Sequence, residues 1–316
     1  MDINNEILKL DWDREPYGLY EPIEYTLAAG GKRVRPQLAM IANQMFGGND
    51  EDVLPAALAL EVFHNFTLLH DDVMDKADVR RGRPTVHVKW NENTAILSGD
   101  QMLIEAYKLL SGVPADKLPR VLQLFNKMAT EICEGQQYDV DFESQEHVTI
   151  EEYLKMIRLK TSVLLANALQ TGAYIAGADE QAQEDLYEFG INIGLAFQIQ
   201  DDILDVWGDP KTFGKAVGGD ISCNKKTFVY LEAMRRLGDE AIGNELQQWY
   251  SQVLEDNTTK IAAVKEIFEQ LDVHTACEKV VEDYTQKALA LLNQLPQNAA
   301  TEQLRQLANK LNTRKD

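Results

Sequence analysis

The chain has 316 residues, 45% of them hydrophobic, and is therefore long enough to bury one large core. Its 31 basic and 51 acidic residues give a formal net charge of −20, which argues against nucleic acid or an anionic membrane as the main partner. Three cysteines lie outside any CxxC or Cys/His spacing, and the sequence contains no signal peptide and no 18-residue apolar run, so a soluble cytoplasmic protein with reduced thiols is expected.

Hydrophobic periodicity is helical nearly throughout, and no convincing set of alternating strands is present. The sequence therefore predicts an all-α protein with a single domain over residues 1–316. The two longest polar connections in the middle of the chain, 76–92 and 207–224, are typical of loops that contact a ligand. The predicted helices cover residues 16–29, 34–46, 55–75, 93–110, 116–138, 149–176, 181–206, 225–236, 239–254, 258–270, 272–293 and 299–313.

The first basic cluster is the segment GGKRVRP at residues 30–36. Gly30 and Gly31 free the backbone, while Lys32 and Arg35 lie within a few residues of a predicted helix start. Backbone N–H groups and cations together suit an anion at such a position. A solvated turn would show the same pattern, so this cluster alone does not define a site.

An apolar helical segment then ends in the carboxylates Asp71, Asp72 and Asp75. His64, Asp71 and Asp75 share one helix face, with Asp72 about one position round. Like charges on successive helical turns cost a few tenths of a kcal/mol per pair, roughly, and a hard divalent cation such as Mg²⁺ offsets that repulsion. An exposed acidic helix end is the competing interpretation of this motif taken alone.

A second copy of the DDxxD spacing supports the metal interpretation. Asp201, Asp202 and Asp205 follow another apolar helical segment, and Gln198 lies on the same face as Asp201 and Asp205. If the two helices face each other across a cavity, six carboxylates meet there, and metal ions with a polyphosphate would make that crowding tolerable.

Each acidic motif is followed by cations. Arg80 and Arg81 come after the first motif, and the second motif is followed by Lys211, Lys215, Lys225 and Lys226. Carboxylates for metal and cations for phosphate, repeated twice, indicate recognition of diphosphate esters.

At this point the chain resembles a known family, the trans-isoprenyl diphosphate synthases, which includes farnesyl, geranylgeranyl and longer polyprenyl diphosphate synthases. The similarity extends over nearly the whole chain and is specific, because six motifs occur in register. They are GGKRVRP at 30–36, LLHDDVMDKADVRRG at 68–82, LKTSVLL at 159–165, FQIQDDILDVWGD at 197–209, FGKAVGGD at 213–220 and NKKTFVYL at 224–231.

The resemblance implies a helical bundle around a central cavity and a head-to-tail condensation. An allylic diphosphate ionises, and the double bond of isopentenyl diphosphate attacks the resulting carbocation. Three Mg²⁺ ions on the allylic diphosphate would be held by Asp71, Asp72, Asp75, Asp201, Asp202 and Asp205. The resemblance assigns further contacts with that diphosphate to Arg80, Lys160, Lys215 and Lys225, and contacts with the isopentenyl diphosphate to Lys32, Arg35, His64 and Arg81.

The same resemblance implies that the carbocation is stabilised by the carbonyl of Lys160, the hydroxyl of Thr161 and the amide oxygen of Gln198. His70 is expected to orient a neighbour rather than to act as a base. Supporting polar residues would be His87, Trp90, Asp100, Gln136 and Asp139, and Arg314 with Lys315 resembles a basic tail that closes over the second diphosphate in some members.

Product length would be set by residues on the helix before the first motif. Phe66 lies five residues before Asp71 and Thr67 four before, a combination that resembles geranylgeranyl-type synthases. Phe63 is an alternative floor of the hydrocarbon tunnel. A C20 product is therefore favoured, followed by C15 and then by longer chains.

Other classes stay open. An HD-type metal phosphohydrolase would use His70 and Asp71 but leaves the second DDxxD unexplained, and a terpene cyclase would not need the basic segment 30–36. A non-catalytic synthase subunit usually lacks aspartates that are present here. The resemblance also implies a homodimer, for which helices 93–110 and 116–138 offer apolar faces.

Overall fold

Helices dominate the computed structural model, which describes residues 2–209, 217–238, 240–252, 254 and 256–312, and the all-α prediction is confirmed. The first half contains the helices Ile3–Leu8, Tyr17–Leu27, Val34–Met45, Asp50–Met74, Val86–Lys89, Glu92–Leu110 and Leu118–Ser144. Further helices cover Ile150–Ile157, Val163–Ile175, Glu180–Trp207, Gly219–Ser222, Phe228–Arg236, Glu240–Tyr250, Thr258–Gln270, Val273–Leu292 and Ala299–Asn312. A π-helical turn, Arg158–Ser162, separates two of them.

Contacts between residues group the fold into two compact units. Unit 1 consists of residues 1–126 and 167–184, and unit 2 consists of residues 127–166 and 185–316. The first DDxxD motif belongs to unit 1 and the second to unit 2. The single-domain expectation stays a prediction.

The structure departs from the predicted elements in places where the sequence signal is short or mixed. The strands Val79–Arg80 and Arg83–Pro84 pair antiparallel within the loop 76–92, but two residues per strand are too few to show an alternating pattern. Predicted helix 149–176 is interrupted by the π-helical turn. The helix predicted to begin at Pro55 begins at Asp50, because Asn49 caps it and acidic residues in its first turn complement the helix dipole.

The first acidic helix, Asp50–Met74, is the main core element of unit 1. Its interior positions include Val53, Leu60, Val62 and Phe63, each at most 1% exposed. Among the described residues it is the helix long and apolar enough to cross a membrane by length and composition, but 61% of that apolar window is buried inside the protein. Such burial is expected for a core helix, and the core holds its acidic end in a fixed orientation.

The second acidic helix, Glu180–Trp207, carries the other motif near its C-terminal end. Within unit 2, Gly190 and Gly194 let this helix approach Ala166 and Ser162 closely, since a Cβ on Gly194 would lie 2.6 Å from the Ser162 side chain. The absence of a side chain therefore sets the distance between the second acidic helix and the π-helical turn.

A similar close approach occurs in unit 1 and leads to a stability prediction. The Cβ of an alanine at Gly172 would clash with the backbone carbonyl of Ala39, whereas the same atom at Gly18, in the helix Tyr17–Leu27, would meet nothing within 4 Å. We expect Gly172→Ala to lower the free energy of unfolding by about 1–3 kcal/mol through overpacking. We expect Gly18→Ala to leave that free energy unchanged or to raise it by about 0.5–1 kcal/mol.

Urea unfolding followed by circular dichroism measures both variants. Equal effects of the two substitutions would contradict the packing that the structure shows around Gly172.

Candidate active site

The first acidic motif lies where the first acidic helix ends. The helix stops at Met74, so Asp75 is its C-cap and is exposed, while Asp71 and Asp72 occupy the last turns. The side chain of Asp72 is 8% exposed and that of Asp71 is 18% exposed. The three carboxylates therefore differ in exposure: Asp72 is buried, Asp71 is partly buried and Asp75 is exposed to solvent.

Arg80 spans the two more buried carboxylates. Its Nε donates to Asp72 Oδ1 at 2.7 Å, and one of its terminal nitrogens lies 3.5 Å from Asp71 Oδ2. Burial raises the pKa of Asp72, and the charge and hydrogen bond of Arg80 act in the opposite direction. Asp72 is thus a carboxylate that needs a cation, and Arg80 supplies one from the strand Val79–Arg80.

The predicted contacts of the second diphosphate assemble beside this pair, in the same unit. Arg81 follows Arg80 in the hairpin turn, and its guanidinium donates to the carbonyl of Gly30. That guanidinium lies 3.1 Å from the position a Cβ on Gly31 would occupy, and the φ of 138° at Gly31 favours a glycine there. The hairpin and the basic segment 30–36 therefore meet at Arg81.

His64 and Arg35 belong to the same cationic group. Burial lowers the pKa of His64 well below its usual value, and the charges of Arg35, Arg81, Arg80 and Arg33 lower it further. Burial also lowers the pKa of Arg35 to about 10, and the Nε of Arg35 is buried without a hydrogen-bond partner. Lys32 is exposed at the edge of the segment. Uncompensated positive charge of this kind attracts an anion.

Between the acidic motif and the hairpin lies a cavity of about 30 Å³, enough for one or two water molecules. Asn65 contributes a buried Oδ1 atom that has no partner. The other residues around the cavity are Tyr25, Thr26, Ala29, Leu68, Leu69, Asp72, Arg80, Arg81, Arg83, Pro84, Thr85 and Val86.

The residues predicted to set product length lie one to two turns before the motif. Phe66 packs edge-on against the rings of Phe63 and His70, with ring centroids 5.5 and 4.8 Å away. Phe63 is 1% exposed and continues the aromatic row to Phe125 at 5.1 Å. The hydroxyl of Thr67 donates to the carbonyl of His64. Phe66 is therefore partly exposed, whereas Phe63 and Phe125 further along this aromatic row are buried.

The second acidic motif has a different environment, within unit 2. Asp202 is 3% exposed and accepts hydrogen bonds from the hydroxyl of Tyr153 at 2.6 Å, the backbone N–H of Phe228 at 3.0 Å and Gln198 Nε2 at 3.3 Å. Burial, together with the charge of Asp220, raises the pKa of Asp202 to about 8. These partners are neutral donors, so a cation bound nearby would lower that pKa again.

Hydrogen bonds connect Asp205 with the segment that contains Asp220, also within unit 2. The N–H of Asp220 donates to Asp205 Oδ2 at 3.0 Å, and the carbonyl of Asp205 accepts from Gly218. Asp201 is half-buried on the same helix, and Lys225 is exposed and donates its N–H to the carbonyl of Asp220. Lys215, predicted to bind diphosphate, lies outside the described residues, as do Lys211, Arg314 and Lys315.

The predicted carbocation-stabilising groups come together around the π-helical turn. Lys160 and Thr161 belong to the turn, and Thr161 Oγ1 lies 3.4 Å from Gln198 Oε1. Lys160 Nζ donates to Asp139 Oδ2 at 2.7 Å, and the supporting role of Asp139 stays a prediction. π-Helical turns occur frequently at functional sites because they displace backbone groups from the regular ladder.

Sequence reasoning missed several residues of these two regions. Glu61 is 2% exposed in the middle of the first acidic helix and pairs with Arg33, and Tyr153 donates to Asp202. The signal for Glu61 was available, because a charged residue within an apolar helical segment requires a buried partner. Tyr153 gave no such signal, since a tyrosine in an amphipathic helix usually contributes to the core.

The carboxylates of the first acidic motif are of the ligand type that Mg²⁺ prefers. Asp71, Asp72 and Asp75 offer hard carboxylate oxygens, and the guanidinium of Arg80 already lies where a cation stabilises two of them. In the part of the chain that the structure describes, no group of three His, Cys, Asp or Glu side chains is arranged as a metal site. The residues present suit Mg²⁺ in the form in which it keeps waters and substrate phosphate oxygens as further ligands.

The described part of the chain thus combines a helical fold with two acidic motifs, one of them beside a separate basic group. The family model of polyprenyl synthetases matches residues 16–271, and the chain belongs to that family.

The individual relatives agree with this assignment. The chain is 44% identical to the geranylgeranyl diphosphate synthase of Methanosarcina mazei over 70% of this chain and 69% of that protein. It is 42% identical to the geranylfarnesyl diphosphate synthase of Natronomonas pharaonis over 70% of each. A crystal structure of a geranylgeranyl pyrophosphate synthase superimposes with a TM-score of 0.92 and 48% identity, covering 99% of this chain and 96% of that one.

The contact between Arg80 and the acidic motif leads to a prediction about metal binding without substrate. In Arg80→Gln the carboxylates of Asp71 and Asp72 lose their internal cation, so we expect Mg²⁺ alone to bind about three- to tenfold more tightly. Isothermal titration with Mg²⁺ measures this affinity. Arg83→Gln is the matched control, because it removes the same charge from a side chain that packs on the ring of Tyr25. An equal gain in both variants would mean that net charge, not the Arg80 contact, sets the affinity.

Proposed function

We propose that the protein is a magnesium-dependent trans-prenyltransferase that condenses isopentenyl diphosphate head-to-tail with an allylic diphosphate. The favoured product is geranylgeranyl diphosphate, with farnesyl diphosphate next. The observation that carries the proposal is the arrangement in unit 1, where a carboxylate pair with Arg80 lies beside the guanidinium groups of Arg35 and Arg81 and the neutral imidazole of His64. With Mg²⁺ on the carboxylates, these two regions would each suit one diphosphate, as a reaction between two diphosphates requires.

In the proposed reaction the aspartates of both DDxxD motifs hold Mg²⁺, which would stabilise the negative charge that develops on the departing diphosphate. Arg80, Lys160, Lys215 and Lys225 contact that diphosphate. Lys32, Arg35, His64 and Arg81 hold isopentenyl diphosphate, and the guanidinium groups suit that task because they donate in a planar fork. The low pKa of His64 keeps its imidazole neutral, so it serves as a hydrogen-bond partner rather than as a further cation.

The carbocation requires partial negative charge without a nucleophile. We propose that the carbonyl of Lys160, the hydroxyl of Thr161 and the amide oxygen of Gln198 supply it. The proximity of Thr161 to Gln198 and the π-helical turn support this assignment. The ion pair of Lys160 with Asp139 fixes the side chain at one end of the turn.

The proposed partners are small molecules and a second copy of the chain. On the helix Glu92–Leu110, Ile96, Leu97, Ile104 and Tyr107 are 39–59% exposed, which is unusual for large apolar side chains on one helix. A homodimer formed through this helix would cover them.

The direct test is product analysis with labelled isopentenyl diphosphate and C5, C10 and C15 allylic primers, with Mg²⁺ and with a chelator. We expect a metal-dependent C20 product, and we expect Asp71→Ala and Asp201→Ala to lower turnover by orders of magnitude with the fold retained. Turnover close to wild type in either variant would refute the metal assignment. Cyclised or hydrolysed prenyl diphosphates without elongation would instead indicate a terpene cyclase or phosphohydrolase.

Product length gives a second prediction. Phe66→Ala shortens the partly exposed member of the aromatic row, so we expect products longer than those of the wild type. Chromatography of the dephosphorylated products measures the shift. Phe63→Ala is the comparison, since that ring is buried against Phe125. An unchanged product for Phe66→Ala and a longer one for Phe63→Ala would place the tunnel floor at Phe63.

A further inference from the structure

Arg33 lies in the middle of the basic segment but faces inward. It is 5% exposed, and its backbone is left-handed with a φ of 46°. Its guanidinium donates to three different parts of unit 1: Glu61 Oε1 at 2.6 Å, the carbonyl of Leu27 at 2.5 Å and Asn4 Oδ1 at 3.2 Å. Arg33 is thus a buried side chain and not a surface cation like Lys32.

Glu61 is the buried carboxylate that Arg33 neutralises. The ion pair is almost completely enclosed, with side chains 4% and 2% exposed. The same Oε1 atom of Glu61 accepts from Asn65 Nδ2 at 3.0 Å. Removal of the cation would strongly destabilise a carboxylate in such surroundings, because its charge would then have no compensation.

Glu61 is also within electrostatic reach of two residues assigned to the second diphosphate. Its charge raises the pKa of Arg35 and of Arg81, against the lowering caused by burial and by neighbouring guanidinium groups. Arg35 Nε has no hydrogen-bond partner. If the charge of Glu61 were not already paired, these guanidinium groups would be cations within electrostatic reach of it.

We propose that Arg33 is a positioning residue that occupies the buried carboxylate of Glu61 and thereby leaves Arg35 and Arg81 available for the diphosphate of the homoallylic substrate. This inference rests on the proposed function, and it adds a pair of residues that do not touch substrate. Arg33 affects substrate binding indirectly. Without Arg33, the carboxylate of Glu61 would compete with the diphosphate for Arg35 and Arg81.

The proposal predicts different KM values for two ways of disturbing the ion pair of Arg33 with Glu61. In Arg33→Met, Glu61 captures Arg35 or Arg81, so the KM for isopentenyl diphosphate should rise at least tenfold while the KM for the allylic diphosphate changes less than twofold. In the double variant Arg33→Met with Glu61→Gln no carboxylate remains to capture a guanidinium, and the KM for isopentenyl diphosphate should return to within about threefold of wild type. A residue that merely anchors the segment would give a double variant no better than the single one.

The experiment measures both KM values, and the equilibrium binding of isopentenyl diphosphate by titration calorimetry, at a temperature where circular dichroism shows every variant folded. Arg14→Met is the matched control, because it breaks another ion pair of unit 1, that of Arg14 with Glu105 at 3.1 Å. Failure of the double variant to recover, or an equal rise of both KM values in Arg33→Met, would overturn the proposal. A wild-type enzyme that elongates no primer would instead contradict the proposed function, while the calorimetric comparison would still test Arg33.

Discussion

The structure depends on the groups that stabilise buried carboxylates at the ends and in the middle of apolar helices. A buried carboxylate needs either a cation or several hydrogen-bond donors, because its desolvation is otherwise too costly. The two units solve this problem differently. In unit 1, Asp72 is paired with Arg80 and Glu61 with Arg33. In unit 2, Asp202 is held by Tyr153, Gln198 and the N–H of Phe228, all of which are neutral.

Two motifs with the same DDxxD spacing therefore have different chemistry. The first already has a cation of the protein across Asp71 and Asp72, so an incoming metal ion has to compete with Arg80 or to displace it. In the second, Asp202 is held by neutral donors, and burial, together with the charge of Asp220, raises the pKa of Asp202 to about 8. Such an arrangement suits a site whose ionic balance is completed by metal and diphosphate together, and it explains why a displaced Arg80 would be available for phosphate.

The sequence predicted the helical fold and the two acidic motifs, because these depend on spacing within one helix. The grouping of Arg35, His64 and Arg81 was implied only by the family resemblance, since these residues are distant in the chain. Partners distant in sequence were not predictable. Arg33 and Glu61 are 28 residues apart and Tyr153 and Asp202 are 49 apart, and no local pattern connects them. The π-helical turn at Arg158–Ser162 also escaped prediction, since the packing of the glycines Gly135 and Gly194 against it is a tertiary contact.

The central claim is that each acidic motif binds the metal that accompanies an allylic diphosphate. The most direct measurement is a crystal structure with Mn²⁺ in place of Mg²⁺ and an unreactive thiolodiphosphate analogue of the allylic substrate, with anomalous diffraction locating the metal. The account predicts manganese at carboxylate oxygens of the first motif, around Asp71, and at those of the second motif, around Asp201. Manganese at one motif only, or a diphosphate bound away from both, would contradict it.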